Sequence, residues 1–527
     1  MMSSRAGAAN AAGPGSRKAD RGPDEARDAP DAGRSISTAD RDTLATLVVI
    51  TLIGTVLRCY YLSQPMRFDE AYTYLQYASQ PLRAIIGAYS QPNNHIFSSI
   101  LIHEVTRFAG HSPAVIRLPA FAAGVALIPA TYLAARVWYG SIAAVAAAGL
   151  VATSVPLVFY STNARGYSIV CLLTMVLVAL AGLLRRGTDG RAWRWFAILA
   201  ALAMYTVPTA IYALGGIICW MILLAAARNA GEYRRVLLRR GVPALFFAVV
   251  LTSVLYLPVV VESGWAALVA NQYVVPESWS AFGRDASSLA GTVLQAVLSE
   301  YSPSGLLLLA GMLGTGLWWQ RRDAERITSP LLPAIVFGLV YTILARRVPF
   351  LRVLLFLVPL AALTIGAGLQ YCCERADVLT RPARLRAAIC AILLLVVLES
   401  AAVAGSQAVY RSDDTGTLRD GQALARTLQS LVQPHDLIVA SIPSTAPLDY
   451  YLQNLGVPYV YRCACLNGHS VVVNRLYVVV NTREGQDLAA VLKDNGLDEG
   501  AFAAPRQVRR FRYSLLLMLQ RKASMQR

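Results

Sequence analysis

The feature that most constrains this chain is a series of long apolar blocks separated by short polar connections. A helix needs about 20 apolar residues to cross the roughly 30 Å of hydrocarbon in a bilayer, and each block has about that length. The sequence therefore predicts a mainly α, polytopic membrane protein with about 11 transmembrane helices plus interfacial helices. The predicted spans are 44–62, 114–136, 141–159, 166–184, 193–208, 210–227, 241–261, 304–320, 330–346, 350–370 and 387–408.

Composition agrees with that class, because 56% of the 527 residues are hydrophobic and only 15% are charged. The formal net charge of +17 would also suit a nucleic-acid partner. The arginines, however, lie in short clusters between the apolar blocks, as they do in cytoplasmic loops of membrane proteins. The clusters span 185–194, 228–240, 321–326 and 375–386. We therefore expect membrane lipids around the chain and no nucleic-acid partner.

The N-terminal segment sets the expected orientation. Residues 1–42 are rich in Ala, Gly, Asp and Arg and have no apolar run before Leu44, so we expect a disordered cytoplasmic tail and not a signal peptide. The arginine clusters then share the cytoplasmic side, and the loops 63–113 and 262–303 lie outside. Segment 93–109 is expected to be an interfacial helix, since one more crossing would put the clusters at 185–194 and 228–240 on the opposite face from the arginine-rich N-terminal tail. The expected location is a bacterial-type inner membrane.

The residues after the last predicted span have a different pattern. Short strands and helices alternate from 436–442 to a last strand at 508–520. We therefore expect a transmembrane domain over 43–410 and a small extracytoplasmic α/β domain over 411–527.

Cysteines give little support for a metal site. Cys463 and Cys465 with His469 form a Cys-x-Cys pair with one histidine, which falls short of a closed zinc site. A local disulfide or two free thiols are the alternatives.

An acidic pair, Asp69 and Glu70, follows the first predicted span by a few residues. A carboxylate at the membrane surface can take a proton from an acceptor hydroxyl while a lipid-borne donor approaches from the bilayer. The alternative for both residues is an acid at a helix N-terminus or a solvated interfacial pair.

Several basic and polar residues share the predicted outer side. Asn94 and His95 open the interfacial helix, where amides and an imidazole can bind a phosphate or a hydroxyl; a surface helix cap is the alternative. Arginine is normally depleted on the outer side, so outer arginines indicate an anion, with snorkelling of the side chain as the alternative. These arginines are Arg165, Arg346, Arg347 and Arg352. Together with Asp69 they predict one site that binds a phosphate.

Five motifs follow one another along residues 44–410: FDEAYTY, PNNHIFSSIL, IRLPAFAAGVALIPATYLAARVWYG, NARGYS and VPFLRVLLFLVPL. Their order and spacing resemble the membrane glycosyltransferases of the GT-C superfamily, on the branch of protein O-mannosyltransferases and lipid A aminoarabinose transferases. The resemblance implies an outer cavity for a polyprenyl-phosphate sugar, with Asp69 as catalytic base and Glu70 as its neighbour. It places His95 and Asn94 near the donor phosphate or a metal.

The chain also departs from that family pattern. Many relatives carry a second acid near the NARGYS motif, where this chain has Asn163 and Arg165. A divalent metal, with His95 or Glu70 as ligand, is therefore left open.

The expected function is an inverting glycosyltransferase that moves a sugar from a polyprenyl-phosphate donor to a lipid, polysaccharide or protein. A lipid-linked sugar flippase or transporter, or a non-catalytic component of cell-envelope assembly, are the alternatives.

Overall fold

The computed structural model describes residues 38–91, 93–185, 190–227, 230–271, 275–300, 303–322, 329–458 and 475–522. The predicted Cys463, Cys465 and His469 cluster lies outside these residues, as do the first 37 residues of the predicted tail and parts of the arginine clusters. The helices are α1 Thr38–Leu62, α2 Phe68–Thr73, α3 Leu82–Gly87, α4 Ile96–Ala109, α5 Pro113–Trp138, α6 Ser141–Thr153, α7 Val155–Ser161, α8 Tyr167–Arg185, α9 Gly190–Thr206, α10 Ile211–Ala226, α11 Gly231–Val236, α12 Val242–Ser263, α13 Ala266–Val269, α14 Trp279–Glu300, α15 Pro303–Arg322, α16 Leu331–Ala345, α17 Leu357–Arg375, α18 Pro382–Ser406, α19 Ala408–Arg411, α20 Gly421–Leu431, α21 Thr445–Asn454 and α22 Leu488–Asp494.

The described residues contain seven helical segments long and apolar enough to cross a membrane, and the bent pair α6 and α7 would form an eighth. The seven are Asp40–Leu62, Pro113–Trp138, Tyr167–Arg185, Pro208–Ala226, Gly231–Ser263, Leu351–Arg375 and Pro382–Arg411. Helices α9, α15 and α16 lie in the other three predicted spans. None of the three is both long enough and apolar enough to count among the seven. The chain is a mainly helical, polytopic membrane protein, and the number of 11 crossings stays a prediction.

The first helix begins earlier than the sequence predicts. It starts at Thr38, inside the predicted tail, because its first turn has partners on other helices. Asp40 pairs with Arg136 at 2.7 Å, and Asp42 pairs with Arg386 at 2.9 Å.

The bend between α6 and α7 is stabilised by a buried arginine of α1. The two helices meet at 62°, and Pro156 has no N–H to donate to the carbonyl of Ala152 one turn earlier. Arg58 supplies that donor, with Nη1 2.9 Å from the oxygen of Ala152 and Nη2 3.2 Å from that of Val151. Its Nε donates to the Ser161 hydroxyl at 3.1 Å. The bend therefore depends on a side chain from another helix.

Helix α4 lies within the predicted segment 93–109 and is 14 residues long. At 1.5 Å per residue it spans about 21 Å, less than the hydrocarbon core of a bilayer. Its length agrees with an interfacial position.

A four-stranded sheet follows the helical bundle. Its strands are β1 Asp436–Ala440, β2 Arg475–Asn481, β3 Arg506–Arg510 and β4 Ser514–Gln520, in the spatial order β1-β2-β4-β3. Strands β1 and β2 are parallel, and the other two pairs are antiparallel. The segment predicted as one strand, 508–520, is part of the hairpin of β3 and β4.

The sheet unit packs against α2 through α20 and α21. Met66 and Tyr74 share an apolar cluster with Leu424 and Tyr450. The backbone N–H of Met66 donates to the Tyr451 hydroxyl at 3.0 Å. This contact brings the start of the C-terminal unit next to Asp69.

Candidate active site

Asp69 lies in the first turn of α2, and its side chain is 11% exposed. Its backbone N–H donates to the carbonyl oxygen of Thr415 at 3.2 Å, which fixes the start of the helix. The carboxylate oxygen Oδ2 lies 3.5 Å from Nη2 of Arg352 and accepts no hydrogen bond from any described residue. Asp69 therefore has a cation beside it and a free oxygen, as a proton acceptor requires.

Glu70, the second acid of the predicted pair, is fully buried and fully bonded. Oε2 accepts from Nε of Arg117 at 2.9 Å and from the N–H of Ala164 at 3.0 Å. Oε1 accepts from the N–H of Arg67 at 2.9 Å and from Nη2 of Arg117. Four donors therefore surround Glu70 and hold it against α5 and the start of α2, and its catalytic role stays a prediction.

His95 and Arg165 meet in a buried polar cluster. Nδ1 of His95 accepts from the N–H of Gly166 at 2.8 Å, and Nε2 lies 3.1 Å from Nη2 of Arg165. Burial, followed by the charges of Arg165 and Arg352, lowers the pKa of His95 well below its usual value. Arg165 also donates to Thr73 at 2.7 Å and so connects the NARGYS motif to α2.

Asn94 does not point its amide toward Asp69. Its Nδ2 donates to the carbonyl oxygens of Ile85 and Ala88 at 2.8 and 2.9 Å, and its Oδ1 accepts from Ser99 at 3.0 Å. These bonds close the loop between α3 and α4. The neighbouring Asn93 instead accepts from Arg165 through its carbonyl and side-chain oxygens.

Arg346 and Arg347 contact the start of α14 and the residues just before it. Arg347 forms an ion pair with Glu277, and the guanidinium of Arg346 lies 5.8 Å from the ring centre of Trp279. Both arginines therefore have protein partners, and their described contacts do not include Asp69.

Comparison with known proteins supports a glycosyltransferase fold. Residues 93–261 match the family model of dolichyl-phosphate-mannose-protein mannosyltransferases. The crystal structure of ArnT from Cupriavidus metallidurans bound to undecaprenyl phosphate has 16% sequence identity and a TM-score of 0.54, over 89% of this chain and 97% of that one. The chain therefore has a fold similar to that of ArnT, and its residues 93–261 resemble the mannosyltransferase family.

The oligosaccharyltransferase of Archaeoglobus fulgidus in its apo form also has a similar fold. The TM-score is 0.52 at 13% identity, over 88% of this chain and 73% of the other. No curated protein sequence matches the chain.

Sequence reasoning missed one acid of the candidate site, Asp414. Its Oδ1 lies 3.5 Å from Nη1 of Arg352, and its Oδ2 accepts from the hydroxyl of Tyr160. The adjacent acids Asp413 and Asp414, just after the last apolar block, were the available signal. Nothing local to that pair indicated that one of them reaches Arg352.

The residues suggested as metal ligands do not fit a metal. Both ring nitrogens of His95 face N–H groups, and both oxygens of Glu70 accept hydrogen bonds. Within the described ranges, no group of three or more His, Cys, Asp and Glu side chains is arranged to hold a metal.

Proposed function

We propose that this protein is a glycosyltransferase that moves a sugar from a polyprenyl-phosphate donor to an acceptor hydroxyl or amine at the outer face of the membrane, with inversion at the sugar carbon. The observation that carries the proposal is the pair of Asp69 and Arg352. A carboxylate with a free oxygen lies 3.5 Å from a guanidinium, so a base and a phosphate-binding cation are adjacent.

The proposed reaction is a single displacement. Asp69 takes the proton of the acceptor group as that group attacks the anomeric carbon, and the bond from this carbon to the phosphate oxygen breaks. The electron pair goes to the phosphate oxygen, and Arg352 stabilises the resulting charge. Asp69 ends the step protonated, the sugar is joined to the acceptor, and polyprenyl phosphate is the leaving group.

The surrounding residues have supporting roles in this proposal. Glu70 holds α2 in position, and the buried cluster of His95 and Arg165 adds positive charge behind the donor site. Arg346 and Arg347 keep the segment before α14 next to the turn that leads to Arg352. Asn94 shapes the loop between α3 and α4.

The carrier class is supported by two comparisons. The matching family is named for a dolichyl-phosphate sugar donor, and the similar ArnT structure contains undecaprenyl phosphate. Positive-inside orientation supports a cytoplasmic N-terminus, with loops 63–113 and 262–303 and the C-terminal unit outside.

The test is the Asp69→Asn variant, which keeps the size of the side chain and removes its basicity. We expect sugar transfer to fall by about 10²–10⁴-fold, the usual contribution of a general base, while binding of the polyprenyl-phosphate donor is retained. Arg352→Ala should weaken donor binding instead. Donor binding is measured with labelled donor in detergent, and transfer by mass spectrometry of the acceptor.

Glu104→Gln is the matched control, because it neutralises an exposed acid of the same loop that pairs with the exposed Arg107. Unchanged transfer by Asp69→Asn would rule out the proposed base. Movement of the intact donor across liposome membranes without transfer would favour a flippase.

A further inference from the structure

We propose that Asp414 is a positioning residue of this active site, which it enters from the C-terminal unit, and that it holds Arg352 away from a direct hydrogen bond with Asp69. The inference rests on the proposed function, since it assigns the base the same role. It adds that the C-terminal unit completes the site.

The first observation is that one cation is shared between two acids. Oδ2 of Asp69 lies 3.5 Å from Nη2 of Arg352, and Oδ1 of Asp414 lies 3.5 Å from Nη1. Neither contact is a hydrogen bond of ordinary length, which would be about 2.7–2.9 Å for a charged pair. The guanidinium also lies 4.3 Å from the ring centre of Phe350, which restricts its movement on a third side. Arg352 is therefore held between its partners.

The second observation is that Asp414 is itself fixed. Its Oδ2 accepts from the hydroxyl of Tyr160, a residue of α7 that is 4% exposed. Its carbonyl oxygen accepts from Nη1 of Arg67 at 3.1 Å, and that nitrogen also donates to the oxygen of Ser412 at 2.7 Å. The acid is thus connected both to the bundle and to the residue that precedes α2.

The third observation is that the same segment supports Asp69. The carbonyl oxygens of Thr415 and Gly416 accept from the N–H groups of Asp69 and Phe68 at 3.2 and 3.1 Å. The hydroxyl of Thr415 accepts from Nδ2 of Asn163 at 3.2 Å. One short segment therefore sets the position of both the base and the cation beside it.

The consequence for catalysis follows from the charges. An arginine with a single carboxylate partner tends to form a bidentate pair, which would use both oxygens of Asp69 and make it a weaker base. A second carboxylate on the other terminal nitrogen opposes that pairing. Asp414 thereby keeps Asp69 free to accept a proton.

The experiment compares Asp414→Asn and Tyr160→Phe with Asp413→Asn in the full-length protein. Asp413→Asn removes one negative charge from the same segment and so serves as the control. The carboxylate of Asp413 contacts Arg483 at 2.8 Å and Arg419 at 3.7 Å, both on the C-terminal unit. The readouts are kcat and KM for the donor, and kcat/KM as a function of pH.

In Asp414→Asn we expect the acid limb of the kcat/KM profile to move to lower pH by about one unit, since Asp69 loses a negative neighbour and gains a closer cation. The kcat on the plateau should fall about three- to tenfold with the weaker base, while KM for the donor changes less than kcat does. Tyr160→Phe should also move the acid limb to lower pH and lower the plateau kcat, but each by less than Asp414→Asn does. Asp413→Asn should match the parent protein.

An unshifted acid limb in Asp414→Asn, or an equal shift in Asp413→Asn, would overturn the inference. These outcomes are separate from a failure of the proposed function. If Asp69→Asn loses transfer while Asp414→Asn has the parental pH profile, the base stands and the role of Asp414 falls. If Asp69→Asn transfers sugar normally, the proposed function and this inference fail together.

Discussion

Glu70 and Arg117 form an ion pair in which both side chains are fully buried. Arg117 additionally donates to the carbonyl oxygens of Leu62, Gln64 and Pro65 at 2.6 to 3.0 Å. The pair therefore connects α5 to the chain that leads from α1 to α2. Since α2 contains Asp69, the position of the proposed base depends on a buried charge pair.

The first prediction concerns this pair. Glu70→Gln should lower the free energy of unfolding by about 3–5 kcal/mol, because it leaves the buried charge of Arg117 without its counter-ion. Thermal unfolding in detergent measures the loss. Glu70→Gln combined with Arg117→Met should recover part of it, and Glu104→Gln, at an exposed pair, serves as control. If Glu70→Gln alone were as stable as the parent protein, the pair would not be important for stability.

The second prediction concerns the bend between α6 and α7. Arg58→Met removes the donors to Ala152 and Val151 and leaves buried carbonyls unsatisfied, at about 1–3 kcal/mol for each group. We expect a clear drop in the thermal unfolding midpoint. Arg136→Met is the matched control, because its exposed pair with Asp40 should contribute about 0–1 kcal/mol. Equal losses in both variants would argue against the proposed role of Arg58.

The third prediction is a pH dependence of stability from His95. Its pKa is lowered in the folded protein, so below about pH 6.5 the unfolded chain binds a proton that the folded chain does not. Stability therefore falls as the pH decreases through this range. His95→Asn, which keeps an acceptor for Gly166, should reduce the difference between unfolding midpoints at pH 7.5 and 5.5.

The control for this pH dependence is His435→Asn, at an exposed position with a positive φ that Asn also adopts. It should leave the dependence as in the parent. If His95→Asn does the same, His95 is not its source.

The fourth prediction tests the contact between the C-terminal unit and α2. Gly416 has a φ of +71°, and an added Cβ would lie 2.4 Å from Cβ of Pro443 and 3.0 Å from Cβ of Phe68. Gly416→Ala should therefore displace the segment that holds Asp69 and reduce sugar transfer. Gly496→Ala has nearly the same φ, +66°, but nothing within 4 Å of the added Cβ.

Both glycine variants carry a similar backbone penalty of roughly 1–2 kcal/mol, so the difference between them isolates the contact. Transfer assays at matched protein concentration give the readout. Equal activity in the two variants would show that the tight approach at Gly416 is not needed.

The sequence by itself determined the class of this protein. Block length and hydropathy depend only on local composition, so the apolar spans could be predicted directly, as could the resemblance to GT-C glycosyltransferases from five motifs in order. The alternating pattern after the last span likewise predicted strands in the C-terminal unit. Asp69 could be selected because a carboxylate just beyond a span is a local feature.

Only the tertiary structure decided which residues accompany Asp69. Glu70 stands beside it in sequence but is bonded to Arg117, whereas Asp414, far along the chain, shares Arg352 with it. Side chains of adjacent residues point in different directions on a helix, and distant segments meet only when the bundle packs. Which charged side chains pair with one another therefore depends on tertiary packing, which local sequence patterns do not predict.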